Sequence, residues 1–95
     1  MTDNENFVKD IEHQMQKRHD EVVRFRVIAE VADPDDQIEY YQIIEDIVAK
    51  DTAVREKLIA YTESDDVDRS SLKNEIEALH QLLEGAIESA QIRIN

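Results

Sequence analysis

Apolar residues recur along this chain at alternating steps of three and four, in three successive stretches. This spacing places them on one face of an α-helix, and such a face is usually buried against other helices. The strict apolar–polar alternation of β-strands is not sustained anywhere in the sequence. The three faces are Val8, Ile11, Met15, Val22, Phe25, Ala29 and Ala32, then Tyr40, Ile44, Ile47, Val54, Leu58 and Tyr61, then Leu72, Ile76, Leu79, Leu83, Ala86 and Ala90.

Two polar segments separate these stretches. In the first, Pro34 suits the first turn of a helix, where its missing N–H costs no hydrogen bond, and Asp33 is the expected N-cap. In the second, either Asp65 or Asp68 can cap the following helix. We therefore predict helices over about 5–32, 34–63 and 67–93, with connections so short that sequential helices are antiparallel. The predicted fold is all-α, an up-down-up antiparallel three-helix bundle with coiled-coil-like packing, forming one domain over 1–95.

Each of the three faces contains one polar residue, and folding should bring these residues to the same level. Antiparallel folding about Pro34 pairs residues whose numbers add up to about 69, which sets Arg18 opposite Asp51. Folding about residues 65–66 gives sums of about 131, which sets Asp51 opposite His80. We expect a structural polar layer that fixes the register of the helices. A pH-sensitive element is the alternative, because histidine titrates near neutrality.

A second apolar face lies on the first helix, opposite its core face. Val23, Val27 and Val31 follow one another at steps of four, and Ile38 points away from the core face of the second helix, with Tyr41 beside that face. Scattered exposed valines are common on protein surfaces, so the face need not have a function. A helix that is apolar nearly all round is usually buried on more than one side, however. We predict that these five residues form a contact face for a homodimer or a protein partner.

Charged residues flank the predicted contact face. They are Arg24, Arg26 and Glu30. Such a rim sets the direction of pairing more than its affinity.

Composition excludes several classes of function. The 95 residues include one glycine and no cysteine, which excludes a glycine-rich phosphate loop, thiol catalysis and a cysteine-based zinc site. Lys and Arg number 11 against 23 Asp and Glu, and the net charge of −12 disfavours direct binding to nucleic acid or anionic membranes. No secretory signal and no membrane-spanning apolar run is recognisable, so we expect a soluble, cytoplasmic protein. No serine has a base at a recognisable spacing, so we expect no enzyme and no cofactor.

One motif carries a possible metal chemistry. Glu77 and His80 have the Glu-x-x-His spacing with which helical di-iron proteins bind metal. A di-iron centre needs a second inward-facing motif and two further carboxylates. A weaker motif of the same kind runs from Asp10 to His13, but His13 falls on the solvent side of the first helix. We therefore expect no metal, with Glu77 and His80 as the only candidates.

The sequence thus favours a non-enzymatic, small acidic interaction or adaptor protein that self-associates through the first helix and the start of the second. One alternative is an acidic mimic of nucleic acid that inhibits a DNA- or RNA-binding protein. Another is a carboxylate–histidine metal protein. The acidity also has a simpler explanation, since a charged surface keeps a small protein soluble.

Overall fold

The computed structural model describes residues 3–94, and side chains from residue 5 onward. Three long helices follow one another along the chain: α1 (Asp3–Glu30), α2 (Pro34–Glu63) and α3 (Asp66–Arg93). Residues 3–94 contain no β-strand, and the three helices pack around a shared apolar core. The predicted all-α three-helix bundle is confirmed.

Two contacts, one near the start and one in the middle of α1, show how it packs on α2. The ring of Phe7 meets the ring of Tyr61 edge to face, with centroids 5.1 Å apart. Eleven residues further along α1, Arg18 contacts Asp51 of α2. Residue numbers rise along α1 as they fall along α2, so the two helices are antiparallel. The residue numbers of each pair add up to about 69, which is the sum predicted from the short Pro34 turn.

The third helix packs antiparallel against α2 in the same way. Lys57 of α2 lies 3.5 Å from Glu75 of α3. At the opposite end of the bundle, Glu39 of α2 accepts hydrogen bonds from the guanidinium of Arg93. The two antiparallel contacts make α1 and α3 parallel, which completes the up-down-up topology.

The core follows the predicted faces along α1 and α2 but shifts along α3. Ile87 and Ile94 are buried in α3, although neither belongs to the predicted face. Leu79 and Ala86, which do belong to it, are only partly buried. An α-helix has 3.6 residues per turn, so a face drawn with steps of three and four drifts by about 20° every seven residues. The buried residues are Ile11, Val22, Phe25, Ala29, Ile44, Ile47, Val54, Leu58, Tyr61, Ile76, Leu83, Ile87, Ala90 and Ile94.

The first turn differs from the prediction in two details. α1 ends at Glu30 rather than at residue 32, because Val31 and Ala32 donate to carbonyls three residues back, in a tightened last turn. Asp33 is extended, with φ −63° and ψ 152°, as expected before Pro34. It occupies the N-cap position of α2, but its side chain makes no capping hydrogen bond.

The second turn settles which aspartate caps α3. The side chain of Asp65 accepts a hydrogen bond of 3.2 Å from the backbone N–H of Asp68. α3 therefore begins at Asp66, one residue before the predicted start. On the other side of the turn, the hydroxyl of Ser64 donates to the carbonyl of Tyr61 and closes the end of α2.

The bundle is elongated, with principal extents of 50 × 20 × 18 Å. Its accessible surface is 6272 Å², whereas a compact monomer of 11.1 kDa exposes about 5,650 Å². The bundle therefore exposes about 600 Å² more surface than a compact monomer of the same mass.

Candidate functional site

The polar residues within the core faces of the three helices meet in the middle of the bundle. Arg18 is only 4% exposed and lies between α2 and α3. Its Nε donates to Oδ1 of Asp51 at 2.9 Å, and its Nη1 lies 2.9 Å from Nδ1 of His80. We call Arg18, Asp51 and His80 the polar layer. All three side chains thus lie at the common level expected from the sequence.

The partners of His80 fix its tautomer. A guanidinium can only donate hydrogen bonds, so Nδ1 of His80 accepts from Arg18 and the ring proton lies on Nε2. This Nε2 faces Oε1 of Glu84 at 3.6 Å, and the same oxygen lies 3.8 Å from Nη1 of Arg18. Glu84 is not among the residues predicted for this layer, although its position one helical turn after His80 could have pointed to it.

The hydrogen bonds of the polar layer are incomplete. Nη2 of Arg18 is buried and makes no hydrogen bond to any described group. Arg18 also lines a cleft of about 110 Å³ between α1 and α2, together with His19, Asp51 and Arg55. A buried donor without a partner costs about 1–3 kcal/mol. The layer is therefore better suited to fixing the register of the helices than to adding stability.

The two residues singled out for metal binding have different surroundings. His80 directs Nδ1 to Arg18, and Glu77 is exposed on α3. Among residues 5–94, no group of three or more His, Asp or Glu side chains is arranged to hold a metal ion. His13, at the end of the weaker motif, is exposed on α1.

Four of the five residues of the predicted contact face are exposed to solvent. The exposed fractions are 47% for Val23, 58% for Val27, 83% for Val31 and 63% for Ile38. We call these four residues the valine face. Tyr41, the fifth residue of the predicted face, is partly buried and packs against the core. It lies three residues before the buried Ile44, and a step of three brings two side chains within about 60° on a helix.

One flank of the valine face is anchored within the bundle. Arg24 donates to the carboxylate of Glu21 at 2.9 Å. This hydrogen bond holds the pKa of the Glu21 carboxyl below its usual value, against the opposing effect of burial. The side chain of Gln91 in α3 lies close enough to Glu21 to lower its pKa as well. The Glu21–Arg24 pair thus lies on the side of α1 that faces α3.

The other flank has no such partner. Arg26 and Glu30 are both exposed, and neither forms a salt bridge with any of residues 5–94. With Arg24 they are the only charged side chains between Val22 and Ala32, so this segment has a net charge of +1 in a chain of −12. The acids elsewhere lie on all three helices, and of those whose burial is described all but Glu21, Glu39 and Asp51 are exposed.

Comparisons with known proteins give no family to which the chain could be assigned. No protein-family model, curated protein or solved structure matches it. In the described part of the chain, no helix is long and apolar enough to cross a membrane.

Proposed function

We propose that this protein is a small, non-enzymatic interaction protein that self-associates through the valine face. The observation that carries the proposal is the exposure of four apolar residues on α1 and at the start of α2, from 47% at Val23 to 83% at Val31. The core is complete without them, since residues such as Phe25 and Ile44 are already fully buried. An apolar face with no packing role inside the fold is typical of an interaction surface.

The shape of the bundle supports the same proposal. A stable dimer buries about 800 Å² on each partner. The elongated bundle exposes about 600 Å² more surface than a compact monomer of its mass, which is comparable to the area that one partner contributes. The segment that carries the valines is also the one with a net charge of +1. Two copies of a strongly acidic chain therefore meet where their mutual repulsion is weakest.

The non-enzymatic part of the proposal rests on the arrangement of the polar layer. Asp51 and the Nδ1 atom of His80 both face Arg18, so they are engaged with the bundle rather than directed at a substrate. A hydrogen-bonded layer of this kind has its best-attested role in selecting helix register and oligomeric state.

The solution mass, measured by light scattering on a sizing column at low and high salt, tests the proposal. We expect a dimer of twice 11.1 kDa, with tighter association at high salt because salt screens the repulsion between two chains of charge −12. A monomer at both salt concentrations would overturn the proposal. Association with a basic partner would show the opposite trend and weaken as salt is added.

A pair of matched variants locates the surface. Val27→Asp places a charge in the middle of the valine face and should give a monomer of unchanged helicity by circular dichroism. Leu82→Asp is the control, because Leu82 is 59% exposed against 58% for Val27 but lies on α3. The control should remain dimeric. Dissociation by both variants, or by neither, would exclude the valine face as the contact.

A further inference from the structure

We infer that the partner on the valine face is a second copy of this chain whose α1 runs antiparallel, with the two-fold axis passing beside Val27. The inference rests on the proposed self-association and specifies how the two copies meet. It follows from the positions of the charged residues on the two flanks of the face.

The charged flanks of the face are not equivalent. Successive residues turn by about 100° around a helix, so Val23 and Val31 lie about 40° to either side of Val27. On the same wheel Arg24 lies about 60° from Val27, on the side of Val31. Arg26 lies about 100° and Glu30 about 60° from Val27, both on the side of Val23. One flank therefore contains Arg24, which is already paired with Glu21, and the other contains Arg26 and Glu30, which form no such pair within residues 5–94.

The flank of Arg26 is the one that faces α2. His19 lies two helical turns before Arg26, on the same side of α1. His19 lines a cleft together with Arg55 of α2, which places α2 on this side. Ile38, at the start of α2, extends the apolar surface in the same direction.

Charge distinguishes the two possible orientations. In a parallel pair of helices with a two-fold axis, each flank faces the opposite flank of the partner, so Arg24 would face the partner's Arg26. Like charges at such positions are unfavourable. In an antiparallel pair each flank faces its own counterpart, so Arg26 faces the partner's Glu30, and symmetry repeats the contact. Since Arg26 and Glu30 have no salt bridge within residues 5–94 of their own chain, both remain available for this contact.

The spacing of the valines sets the register. An axis beside Val27 pairs Val27 with its own copy and Val23 with the partner's Val31, so every valine has an apolar partner. In this register Arg26 and the partner's Glu30 are offset by two residues, or about 3 Å along the helix axis. Rows of side chains at steps of four pack into one another in the commonest class of helix contact. A shift of the axis by two residues toward the N-terminus would set Val31 against the partner's His19, and an equal shift the other way would set Val23 at the level of the partner's Asp35, beyond the end of α1.

Disulfide cross-linking tests orientation and register directly, because the chain contains no cysteine. We expect Val27→Cys to form a covalent dimer under mild oxidation. Val23→Cys and Val31→Cys should each cross-link poorly alone but readily when mixed, because facing Cα atoms must approach within about 7 Å. Val67→Cys is the control for random collision, since Val67 is 84% exposed and lies on α3.

The outcomes separate the register from the self-association itself. A wild type that is monomeric by light scattering would overturn both the proposed function and this inference. A dimeric wild type in which Val23→Cys and Val31→Cys each cross-link to themselves, and not to each other, would overturn only the antiparallel arrangement.

Exchange of charges gives a second test. Arg26→Glu and Glu30→Arg should each raise the dimer dissociation constant by about tenfold, because two symmetric pairs are lost. The double variant should recover wild-type affinity. Arg24→Glu combined with Glu30→Arg is the control and should not recover it. Failure of the Arg26→Glu, Glu30→Arg double variant to recover affinity would contradict the contact between Arg26 and the partner's Glu30.

Discussion

Arg18 and Asp51 face each other across α1 and α2 in the middle of the bundle, joined by a hydrogen bond of 2.9 Å, with the arginine almost fully buried. Asp51→Ala leaves this arginine without its acid, so the free energy of unfolding should fall by about 1–3 kcal/mol in a urea titration. Asp46→Ala is the control, because Asp46 pairs with Lys50 on the surface of α2. Its loss should cost no more than about 0.5 kcal/mol.

Replacement of both Arg18 and Asp51 should lower the free energy of unfolding less than replacement of Asp51 alone. Arg18→Met together with Asp51→Leu leaves no charge in the layer, and such exchanges are often neutral or stabilising. We expect the double variant to unfold at a higher urea concentration than Asp51→Ala. A double variant less stable than Asp51→Ala would contradict this expectation, and one less stable than the wild type would show that the pair contributes more than it costs to bury.

The contact between Arg18 and His80 gives a second prediction. His80→Ala removes the acceptor of Nη1, whereas His13→Ala makes the same chemical change at an exposed position of α1. His80→Ala should therefore lower the free energy of unfolding by about 1 kcal/mol more than His13→Ala. Equal values in urea titrations would show that this hydrogen bond adds nothing to stability.

Gly85 offers a stabilising substitution. A Cβ atom at this position meets nothing within 4 Å, and the residue lies inside α3. Gly85→Ala should raise the free energy of unfolding by about 1 kcal/mol, because alanine restricts the unfolded chain and favours the helix. Ala78→Gly is the reverse change at an exposed position of the same helix and should lower stability by a similar amount. A destabilising Gly85→Ala would show that another molecule approaches this position closely.

The two N-caps should respond differently to the same substitution. Asp65 accepts a hydrogen bond from the N–H of Asp68, so Asp65→Ala should cost about 1 kcal/mol. Asp33 makes no side-chain capping bond, so Asp33→Ala removes only a favourable charge at the start of α2, worth about 0.3–1 kcal/mol. Thermal unfolding at matched concentration compares the two. A larger loss for Asp33→Ala would contradict the observed cap geometry.

The lowered pKa of Glu21 predicts a dependence on pH. The hydrogen bond from Arg24 favours the ionised carboxyl, so it contributes stability above the unfolded pKa, near the ordinary value of 4.5, and loses that contribution as pH falls through the folded pKa. Arg24→Gln should raise the pKa of Glu21, measured by NMR titration of the carboxyl carbon. Arg26→Gln is the control and should leave it unchanged, since Arg26 forms no salt bridge with Glu21.

The fold and the polar layer were accessible from the sequence for a shared physical reason. Short turns leave little freedom in how far one helix slides along the next, so residue numbers alone set Arg18 opposite Asp51 and Asp51 opposite His80. Glu84 was not accessible in this way. It is one of 23 acidic residues, and its distance from Arg18 depends on side-chain conformations that spacing does not specify.

The remaining differences arise where local geometry competes with periodicity. Pro34 forces Asp33 into an extended conformation, and α1 ends before the apolar pattern does. The exposure of Val27 followed from its position opposite the core face. Tyr41, by contrast, lies at the edge of a face, where a rotation of a few tens of degrees decides between solvent and core.

The two turns also bear on how quickly the chain reaches this structure. Only residues 31–33 and 64–65 separate the helices, so most contacts between helices join segments that are neighbours in the chain. Proteins with such a low contact order fold in microseconds to milliseconds. Because the two connections are short, each helix has little chance to pack first against the wrong helix. Rapid formation of the three-helix bundle is therefore favoured by its five connecting residues.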